Sequence, residues 1–387
     1  MTPKERIRAA FDHREGDRVP LFEQSVASDV ASEILGREAF TGTTYLHYQE
    51  AAAWMQGDAA HQEFEERLKA DVVALARALE FDMLHPPWRA SQRPARQLDE
   101  CNFLYGDPDG DHYVMRFDRD AKTFQVAEWH WTTPPPQEPD ELEPGVENAE
   151  RQAAEFRIDD PRAAYAWHVE AMEKYGDEFE ITGGTGLGIP LDPVWLMACV
   201  ERPDLVARLL DAQLVSVCLH LEAQAGLGLW VIWGGGDLAG KGGPIYGPRP
   251  FREILLPRVK KLVEHCHKLG QVYVYRTDGD LWPIEREFFV ETGADGYGEI
   301  DYEAGMDLDR LKPRYGDRIT FWGNVPCGTI LRRGSVKDVV KFTRHIIDVA
   351  APGGGFILGS SNSIVPGTPA RNVIAMFETA RKYGRYK

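Results

Sequence analysis

The sequence predicts an α/β protein with the (β/α)8 TIM-barrel fold. Short apolar runs rich in β-forming residues recur along the chain, and most of them are followed by a segment with helical periodicity. Repeated alternation of strand and helix is typical of a parallel sheet. The 387 residues, of which 43% are hydrophobic, suffice for the large core of a barrel. We therefore expect a single domain that spans residues 1–387.

Eight apolar runs are predicted as barrel strands, and they occupy residues 19–23, 81–85, 179–183, 229–233, 272–276, 295–299, 319–323 and 356–359. The last six are each followed by a helical segment, and the clearest of these segments are residues 203–225, 251–269, 336–349 and 370–383. Three extra helices are predicted earlier, at residues 3–11, 28–35 and 61–80. Thr2 and Pro3 are suited to the cap and the first position of the first helix.

A segment of different character separates the second and third predicted strands. HYVMRFDRDAKTFQVAEWHW alternates as a β-hairpin does, and TTPPPQEPDELEPG after it is typical of an acidic, proline-rich linker. We interpret residues 101–157 as an insertion that lies over the barrel mouth.

The amino-acid composition limits the classes of binding partner and the cellular compartment that we expect for this protein. The 44 Lys and Arg residues against 61 Asp and Glu leave a net charge of −17, which opposes binding to nucleic acid or to an anionic membrane. Five cysteines without a CxxC pair fit a reducing compartment. The N-terminus is charged throughout, and no apolar run approaches the roughly 18 residues of a membrane helix. We predict a cytoplasmic protein, and the oligomeric state is left open, with a homodimer as one option.

The loops after the strands of a TIM barrel converge on one pocket, so polar residues at the strand ends are candidate site residues. This criterion selects residues after strands two and four to eight, namely His85; Asp237 and Lys241; Arg276, Asp278 and Asp280; Glu299 and Asp301; Asn324; and Ser360 to Ser363, which include Asn362.

Carboxylates from adjacent strands cannot all stay ionised at close range without a metal, a cationic group or a shared proton. Asp237, Asp278 and Glu299 could ligate a divalent metal, but a cluster without His or Cys makes zinc less favoured. Alternatively, Arg276 and Lys241 pair with the acids, which would account for the charges without a metal.

Other strand-end residues suggest roles around these carboxylates. Asp278, Glu299, Asp237 and His85 are the candidate catalytic residues, with His85 as an acid or base beside Trp88, although a histidine among prolines is about as often structural. The candidate substrate-binding residues are Arg276, Lys241, Asn324, Asn362 and Trp233. Several tryptophans near the predicted mouth suit an apolar or aromatic substrate, although some of them must belong to the core.

Five segments carry a resemblance to a known superfamily, the uroporphyrinogen decarboxylase superfamily, which includes cobalamin-dependent methyltransferases. The N-terminus MTPKERIRAAFDHREGDRVP resembles the opening of its members. Their C-terminal half is resembled, in order and spacing, by GPRPFREILLPRVKKLVEHCHKLG, YRTDGD, WGNV and PGGGFILGSSNSIVPGTPARNVIAMFETARKYG. The resemblance implies a (β/α)8 barrel. It does not cover the segment of about 101–157.

The two main branches of that superfamily each differ from this chain. The zinc methyltransferases resemble this chain but have His-x-Cys after strand five and Cys after strand eight, where Arg276-Thr277-Asp278 and Ser361-Asn362 stand here. The decarboxylases have an arginine-containing segment after strand one, where EQSVASD stands here, and a His that corresponds best to Asn362. The chain looks closer to a divergent group similar to the methyltransferase components of corrinoid-dependent O-demethylases.

Three functions follow from these observations, in decreasing order of preference. The first is an enzyme that moves a methyl group from a small donor, such as a methoxylated aromatic or a methylamine-like compound, to a corrinoid held by a partner protein. The second is a decarboxylase or other lyase that acts on a small carboxylate bound by Arg276 and Lys241. The third is a non-catalytic binding protein, which the dense polar set on adjacent strand ends argues against.

Overall fold

The computed structural model describes residues 1–89 and 92–386. Its helices, in chain order, are α1 (Pro3–Phe11), α2 (Ser28–Leu35), α3 (Thr43–Gln56), α4 (Asp58–Leu79), α5 (Glu143–Glu155), α6 (Pro161–Ala164), α7 (Ala166–Tyr175), α8 (Pro193–Glu201), α9 (Pro203–Gly226), α10 (Pro248–Pro250), α11 (Leu256–Lys268), α12 (Leu308–Tyr315), α13 (Val336–Ala350) and α14 (Ala370–Tyr383).

The strands in the same order are β1 (Met83–Leu84), β2 (Arg96–Gln97), β3 (Asn102–Gly106), β4 (His112–Asp118), β5 (Thr123–His130), β6 (Glu180–Ile181), β7 (Gly183–Gly184), β8 (Val231–Gly235), β9 (Ala239–Gly240), β10 (Gly243–Pro244), β11 (Val272–Arg276), β12 (Gly296–Gly298), β13 (Thr320–Val325) and β14 (Phe356–Ser360).

The predicted TIM-barrel-like architecture is confirmed. A parallel sheet runs in the order β14, β13, β12, β11, β8 and β7, and β6 continues it by pairing in parallel with β1. Leu21 forms a parallel bridge with Leu358 in β14, and the Asp82 N–H donates to the Leu21 carbonyl at 2.7 Å. Backbone hydrogen bonds thus connect neighbours around all eight predicted strand positions.

Seven of the eight predicted runs contain a strand, and the first does not. Residues 19–26 make only isolated bridges, at Leu21 and Val26. Pro20 has no N–H to donate, although its carbonyl accepts a hydrogen bond from the Leu358 N–H at 2.8 Å. This run therefore follows the sheet without a full ladder of hydrogen bonds.

The predicted hairpin is confirmed, and it belongs to a larger sheet. Strands β2, β3, β4 and β5 form an antiparallel sheet in that order. Phe103, Phe117 and Phe124 from this sheet pack with Ala51 of α3 in a buried cluster of their own. Helix α3 was not among the sequence predictions.

The prediction of a linker after the hairpin is wrong in its C-terminal part. Residues 139–142 form a 3-10 turn, and α5 starts directly after it at Glu143. Pro139 and Pro144 occupy first-turn positions, where a helix does not need the missing N–H. Arg208 of α9 binds Glu150 with an Nη2–Oε2 distance of 2.7 Å, so α5 lies against the helical layer.

The interior of the barrel is packed from both the strands and α1. Ile7 and Ala10 of α1 are buried in one cluster with Phe22, Trp233 and Trp322. Thr2 caps α1 as predicted, and its hydroxyl accepts a hydrogen bond from the Glu5 N–H. Within the described residues, no helix has the length and apolar character needed to cross a membrane.

A buried carboxylate joins the N-terminal helix to two neighbouring strand positions. Asp82 is fully buried, and its carboxylate accepts hydrogen bonds from Arg6, from Arg18 Nη1 at 2.7 Å and from the Leu21 N–H at 2.7 Å. Arg6 also binds Asp17 at the surface, with an Nε–Oδ1 distance of 2.7 Å. The charge of Asp82 is thereby compensated by two guanidinium groups.

Asp82→Ala should strongly destabilise the fold, because it leaves two arginines without their buried counter-charge. We expect the free energy of unfolding to fall by about 3–5 kcal/mol. Glu173→Ala is the matched control, because it removes an exposed partner of Arg162 and should cost at most about 1 kcal/mol. Urea unfolding of both variants measures the difference, and equal losses would contradict the structural role of Asp82.

Candidate functional site

The floor of the barrel mouth is aromatic. The Trp233 ring centroid lies 5.2 Å from that of Phe22 and 5.0 Å from that of Trp322. A Cβ atom at Gly298 would lie 2.5 Å from Trp322 and 3.0 Å from Trp233, so only glycine fits beside the two rings. The Trp233 side chain, a predicted substrate-binding residue, is buried in this floor, and its Nε1 has no hydrogen-bond partner among the described residues.

Above the floor, the Gln24 side chain forms hydrogen bonds with side chains from three predicted strand ends. Its amide nitrogen donates to Glu299 Oε1 at 2.6 Å and lies 3.5 Å from Asn362 Oδ1. Its amide oxygen accepts a hydrogen bond from Arg276 Nη1 at 3.2 Å. Arg276 Nη1 also lies 3.3 Å from Glu299 Oε1, and Asn362 Nδ2 donates to Asp278 Oδ2 at 3.1 Å. Four predicted site residues are therefore joined in one network.

Sequence reasoning missed Gln24, although its position carries the same strand-end signal as the other site residues. It directly follows the predicted strand 19–23, so it lies at a strand end. Gln24 can donate and accept at the same time, which lets it connect a guanidinium, a carboxylate and an amide.

Glu299 holds its place in this network with an unusual backbone. Its φ of 62° lies in the left-handed region, which a residue other than glycine enters at a cost of about 1 kcal/mol. Burial raises the pKa of the Glu299 carboxyl, whereas Arg276 and the hydrogen bond from Gln24 oppose that rise. The local structure thus keeps a buried carboxyl directly beside a guanidinium.

Asp278 is a half-buried acid in a negative environment. Burial raises the pKa of its carboxyl, and the charges of Asp237 and Asp301 raise it further. The hydrogen bond from Asn362 opposes the rise. Protonation of Asp278 is consequently easier than that of an exposed aspartate.

His85 lies on the second strand end, next to Arg276. Its Nδ1 is 2.8 Å from the Thr182 hydroxyl oxygen. Burial lowers the pKa of His85 to about 3, with smaller contributions from Arg276 and His168. The imidazole is therefore neutral at neutral pH. It can hydrogen-bond to a ligand there, but it holds no second proton to give.

A buried carboxyl that sequence reasoning missed lies behind this network. Glu23 accepts hydrogen bonds from the Ser360 N–H at 3.0 Å and from the Gln24 N–H at 3.1 Å. Burial raises the pKa of Glu23 to about 8, and the hydrogen bonds from Ser360 and Gln24 oppose the rise. Glu23, Gln24 and His85 line a cleft of about 30 Å³, which is room for about one water molecule.

Besides His85 and Trp233, the candidate site residues Asp237, Lys241 and Asn324 also lie outside the hydrogen-bonded network. The Asp237 side chain is exposed at the mouth, and its negative charge raises the pKa of Asp278 and of Glu299. Lys241 lies at the exposed turn between β9 and β10. Asn324 is fully buried, and its Nδ2 donates to the Met306 carbonyl at 3.3 Å. Among the described residues, Lys241 forms no ion pair with the acids of the site. Arg276 does, with Glu299.

The carboxylates at the mouth do not fit a metal centre. Among residues 1–89 and 92–386, no three His, Cys, Asp or Glu side chains are arranged to hold a metal ion. Asp278 Oδ2 and Glu299 Oε1 already accept hydrogen bonds from Asn362 and Gln24. Of the three ways to compensate such a cluster, the structure shows a cationic group, Arg276 beside Glu299. The raised pKa of Asp278 and of Glu299 also favours a retained proton.

An exposed tryptophan covers one side of the network. The Trp88 ring lies over the Arg276 guanidinium, with 5.3 Å between Cζ and the ring centroid. The Trp88 side chain is itself 75% exposed. Arg276 thus lies between a buried carboxylate and an exposed ring, with its remaining N–H groups available to a ligand.

Comparisons with known proteins agree with this architecture. Residues 193–383 match the model of the family described as uroporphyrinogen decarboxylase (URO-D). The uroporphyrinogen decarboxylases of Cupriavidus pinatubonensis and Cupriavidus necator are 29% and 28% identical over 198 and 195 residues. In each case the match covers 48% of this chain and 50% of the relative. The chain thus spans about half the length of the curated relatives it matches.

A solved structure extends the similarity to the remainder of the chain. The structure of a methyltransferase from Methanosarcina mazei is similar over 99% of both chains, with a TM-score of 0.67 and 19% sequence identity. This likeness shows a common fold, and it includes the N-terminal segment outside the matched family model. Residues 193–383 are thus similar in sequence to the uroporphyrinogen decarboxylase family, and the chain as a whole has the fold of the Methanosarcina mazei methyltransferase.

Proposed function

We propose that this protein is a methyltransferase that moves a methyl group from a small methoxylated aromatic donor to a corrinoid carried by a partner protein. The observation that carries the proposal is the network of Arg276, Gln24, Glu299, Asn362 and Asp278 above an aromatic floor. The Methanosarcina mazei methyltransferase, which has the same fold, supports this choice. We further propose that residues 1–387 are one cytoplasmic domain, with the insertion 101–157 over the barrel mouth.

The reaction breaks the bond between the methyl carbon and the ether oxygen. When a partner protein presents it to the site, a corrinoid would supply the electron pair for the new bond to the methyl carbon. The ether oxygen keeps the pair of the broken bond, so negative charge develops on it and a proton must reach it. The site therefore needs an acid beside the leaving oxygen.

Asp278 is the group we assign to that proton transfer. It is half-buried, so the substrate can reach it, and burial and the neighbouring charges raise its pKa. Asn362 holds the carboxyl in place through its Oδ2. Arg276, fixed by Gln24 and Glu299, would bind a carboxylate of the donor, because its guanidinium has further N–H groups to donate.

Two other features support proton-dependent chemistry at this position. Glu23 is a second carboxyl with a raised pKa, and it lies one residue from Gln24. The cleft beside it has room for one water, which could carry a proton towards the mouth. Trp88 and Asp237 are exposed at the mouth, as the approach of a corrinoid on a partner protein would require.

The second candidate is a decarboxylase that acts on a small carboxylate. It is favoured by the match of residues 193–383 to the uroporphyrinogen decarboxylase family and by the position of Arg276. Arg276 would bind the substrate acid, and Asp278 would stabilise developing positive charge. Glu23, Gln24 and Ser25 stand where the resemblance places an arginine-containing segment in the decarboxylases, so the classical porphyrin substrate is not part of this proposal.

Asp278→Asn should abolish most of the methyl transfer, because the amide cannot supply the proton. We expect the rate of phenol release from 4-methoxybenzoate, with chemically reduced free cobalamin as acceptor, to fall by about 10²–10⁴-fold. Asp237→Asn, which changes an exposed carboxylate nearby, should reduce the rate far less. Chromatography separates the phenol from the donor. Carbon dioxide release in place of the phenol would favour the second candidate.

Arg276→Ala should weaken binding of carboxylated donors selectively. A hydrogen bond to a charged group contributes about 1.5–3 kcal/mol, so we expect KM for 4-methoxybenzoate to rise by about 10–100-fold. Methoxybenzene, which lacks the carboxylate, is the matched substrate, and its KM should hardly change. Parallel increases in KM for both donors would remove Arg276 from carboxylate recognition.

Glu23→Gln should change how stability depends on pH. The folded protein keeps the Glu23 proton up to about pH 8, because burial raises the pKa of this carboxyl, whereas the unfolded chain releases it near the ordinary pKa of 4.5. Folding is therefore favoured by this group below about pH 4.5, and that contribution declines as pH rises to about 8. A tenfold difference in proton affinity corresponds to about 1.4 kcal/mol, so the decline amounts to a few kcal/mol.

Urea unfolding between pH 5 and pH 8 tests this expectation. The decline in stability with pH should be smaller in Glu23→Gln than in the unchanged protein. Glu66→Gln, at an exposed position, controls for the loss of one carboxylate. Identical slopes in all three proteins would show that Glu23 is ionised in the folded state at pH 5.

A further inference from the structure

Trp88 is an aromatic residue at the barrel mouth whose ring is left mostly in water. The side chain is 75% exposed. Trp129 and Trp131 are also exposed, but their rings stack on each other with centroids 5.0 Å apart. Within the part of the chain that the structure describes, the cation or ring in contact with the Trp88 indole is the Arg276 guanidinium alone, with 5.3 Å between Cζ and the centroid. Most of this large apolar ring is therefore open to a ligand.

The chain that carries the Trp88 ring is nevertheless held in place. Two prolines directly precede Trp88 and restrict the backbone between it and the second strand end. The Trp88 carbonyl oxygen lies 3.2 Å from His47 Nε2. Arg89 Nε donates to Glu50 Oε1 at 3.0 Å, and Glu50 is almost fully buried. The backbone is thus anchored on both sides of a ring that itself extends over the mouth.

The guanidinium beside this ring has donors to spare. Arg276 donates from Nη1 to Gln24 Oε1 and to Glu299 Oε1, at 3.2 and 3.3 Å. Among residues 1–89 and 92–386, its Nε and Nη2 have no such partner. These two nitrogens form the fork that binds a carboxylate through parallel hydrogen bonds. The Arg276 side chain is 23% exposed, so a ligand can reach the fork.

A carboxylate bound in this fork brings its substituent close to Trp88. The carboxylate and the guanidinium pair as two planar groups, so the substituent extends away from Arg276 along their common plane. The Trp88 centroid is only 5.3 Å from Arg276 Cζ, and the indole is wider than a guanidinium. An aryl substituent can stack on the indole or meet it edge to face. A saturated ring fills a similar volume but lacks the quadrupole on which that preference depends.

We propose that Trp88 is a specificity-determining residue, which contacts the ligand bound by Arg276 and selects carboxylates that are attached to an aromatic ring. Arg276 binds the carboxylate, and Trp88 binds the ring next to it. The inference rests on one part of the proposed function, the assignment of Arg276 to the donor carboxylate. It adds the residue that distinguishes an aromatic donor from an aliphatic one.

Calorimetric titration of the full chain with benzoate and with cyclohexanecarboxylate tests the proposal. The two acids have the same charge and a similar size, and neither carries a methyl ether. Benzoate should bind about 3–10-fold more tightly to the unchanged protein, because only its ring is aromatic. Trp88→Leu should remove most of this preference by weakening benzoate alone, whereas Trp88→Phe should keep most of it. Arg276→Ala should weaken both acids.

Three results would overturn the proposal. They are equal affinity of the unchanged protein for the two acids, an equal change for both acids in Trp88→Leu, and no binding of benzoate at millimolar concentration. Benzoate binding that is unchanged in Trp88→Leu would instead leave the exposed ring to contact with a partner protein. If the preference is found but 4-methoxybenzoate is not demethylated, the proposed reaction is wrong and the role of Trp88 stands.

Quenching of tryptophan fluorescence by acrylamide locates the contact within the molecule. Benzoate should shield the Trp88 indole, so the quenchable fraction of the emission should fall on binding. This shielding should be absent in Trp88→Phe and retained in Trp230→Phe, the matched control. Trp230 also lies against an arginine, with Arg8 Cζ 3.7 Å from its centroid, but it directly precedes β8 at the end of the barrel away from the mouth. Shielding that persists in Trp88→Phe would place benzoate elsewhere and contradict the proposal.

Discussion

The buried carboxylate of Asp82 is the interaction on which the rest of the barrel depends. It joins α1 through Arg6, the first strand position through the Leu21 N–H, and the second through its own backbone. The first strand position has only isolated bridges. Side-chain contacts must therefore provide the stabilisation that a regular ladder of backbone hydrogen bonds gives to the other strands. Two arginines share this carboxylate, which keeps a costly buried charge compensated.

Buried negative charge must also be compensated at the opposite end of the barrel. Carboxyls from several strand ends meet there, and only Arg276 is close enough to Glu299 to form an ion pair among the residues that the structure describes. The remaining acids respond by a rise in pKa, as Asp278 and Glu23 show. Glu299 is compensated by Arg276, whose guanidinium can also bind an anion. Asp278 and Glu23 hold their protons more tightly, which suits them to proton transfer. Proton transfer at this mouth is therefore consistent with its electrostatics.

Side chains along each strand point alternately into the barrel and towards the helices, and this alternation explains which predicted residues lie close together. Phe22, Trp233, Val274 and Trp322 belong to the cluster inside the barrel, and Leu21, Ile232, Tyr275 and Phe321 belong to the cluster under the helices. Two residues beyond an inward residue, the chain points inward again, which places Gln24 and Arg276 above the floor. Lys241 lies on a separate hairpin, where this rule no longer applies.

The amino-acid sequence by itself determined the positions of seven barrel strands, the capped N-terminal helix and the set of strand ends that carry polar residues. These are local properties, since periodicity and capping act over a few neighbouring residues. Only the tertiary structure decided that Gln24 connects Arg276, Glu299 and Asn362, and that Glu23 is buried beside them. Those residues are up to 338 positions apart in the chain. Their pKa values follow from burial and from charges brought near by folding, which no local pattern contains.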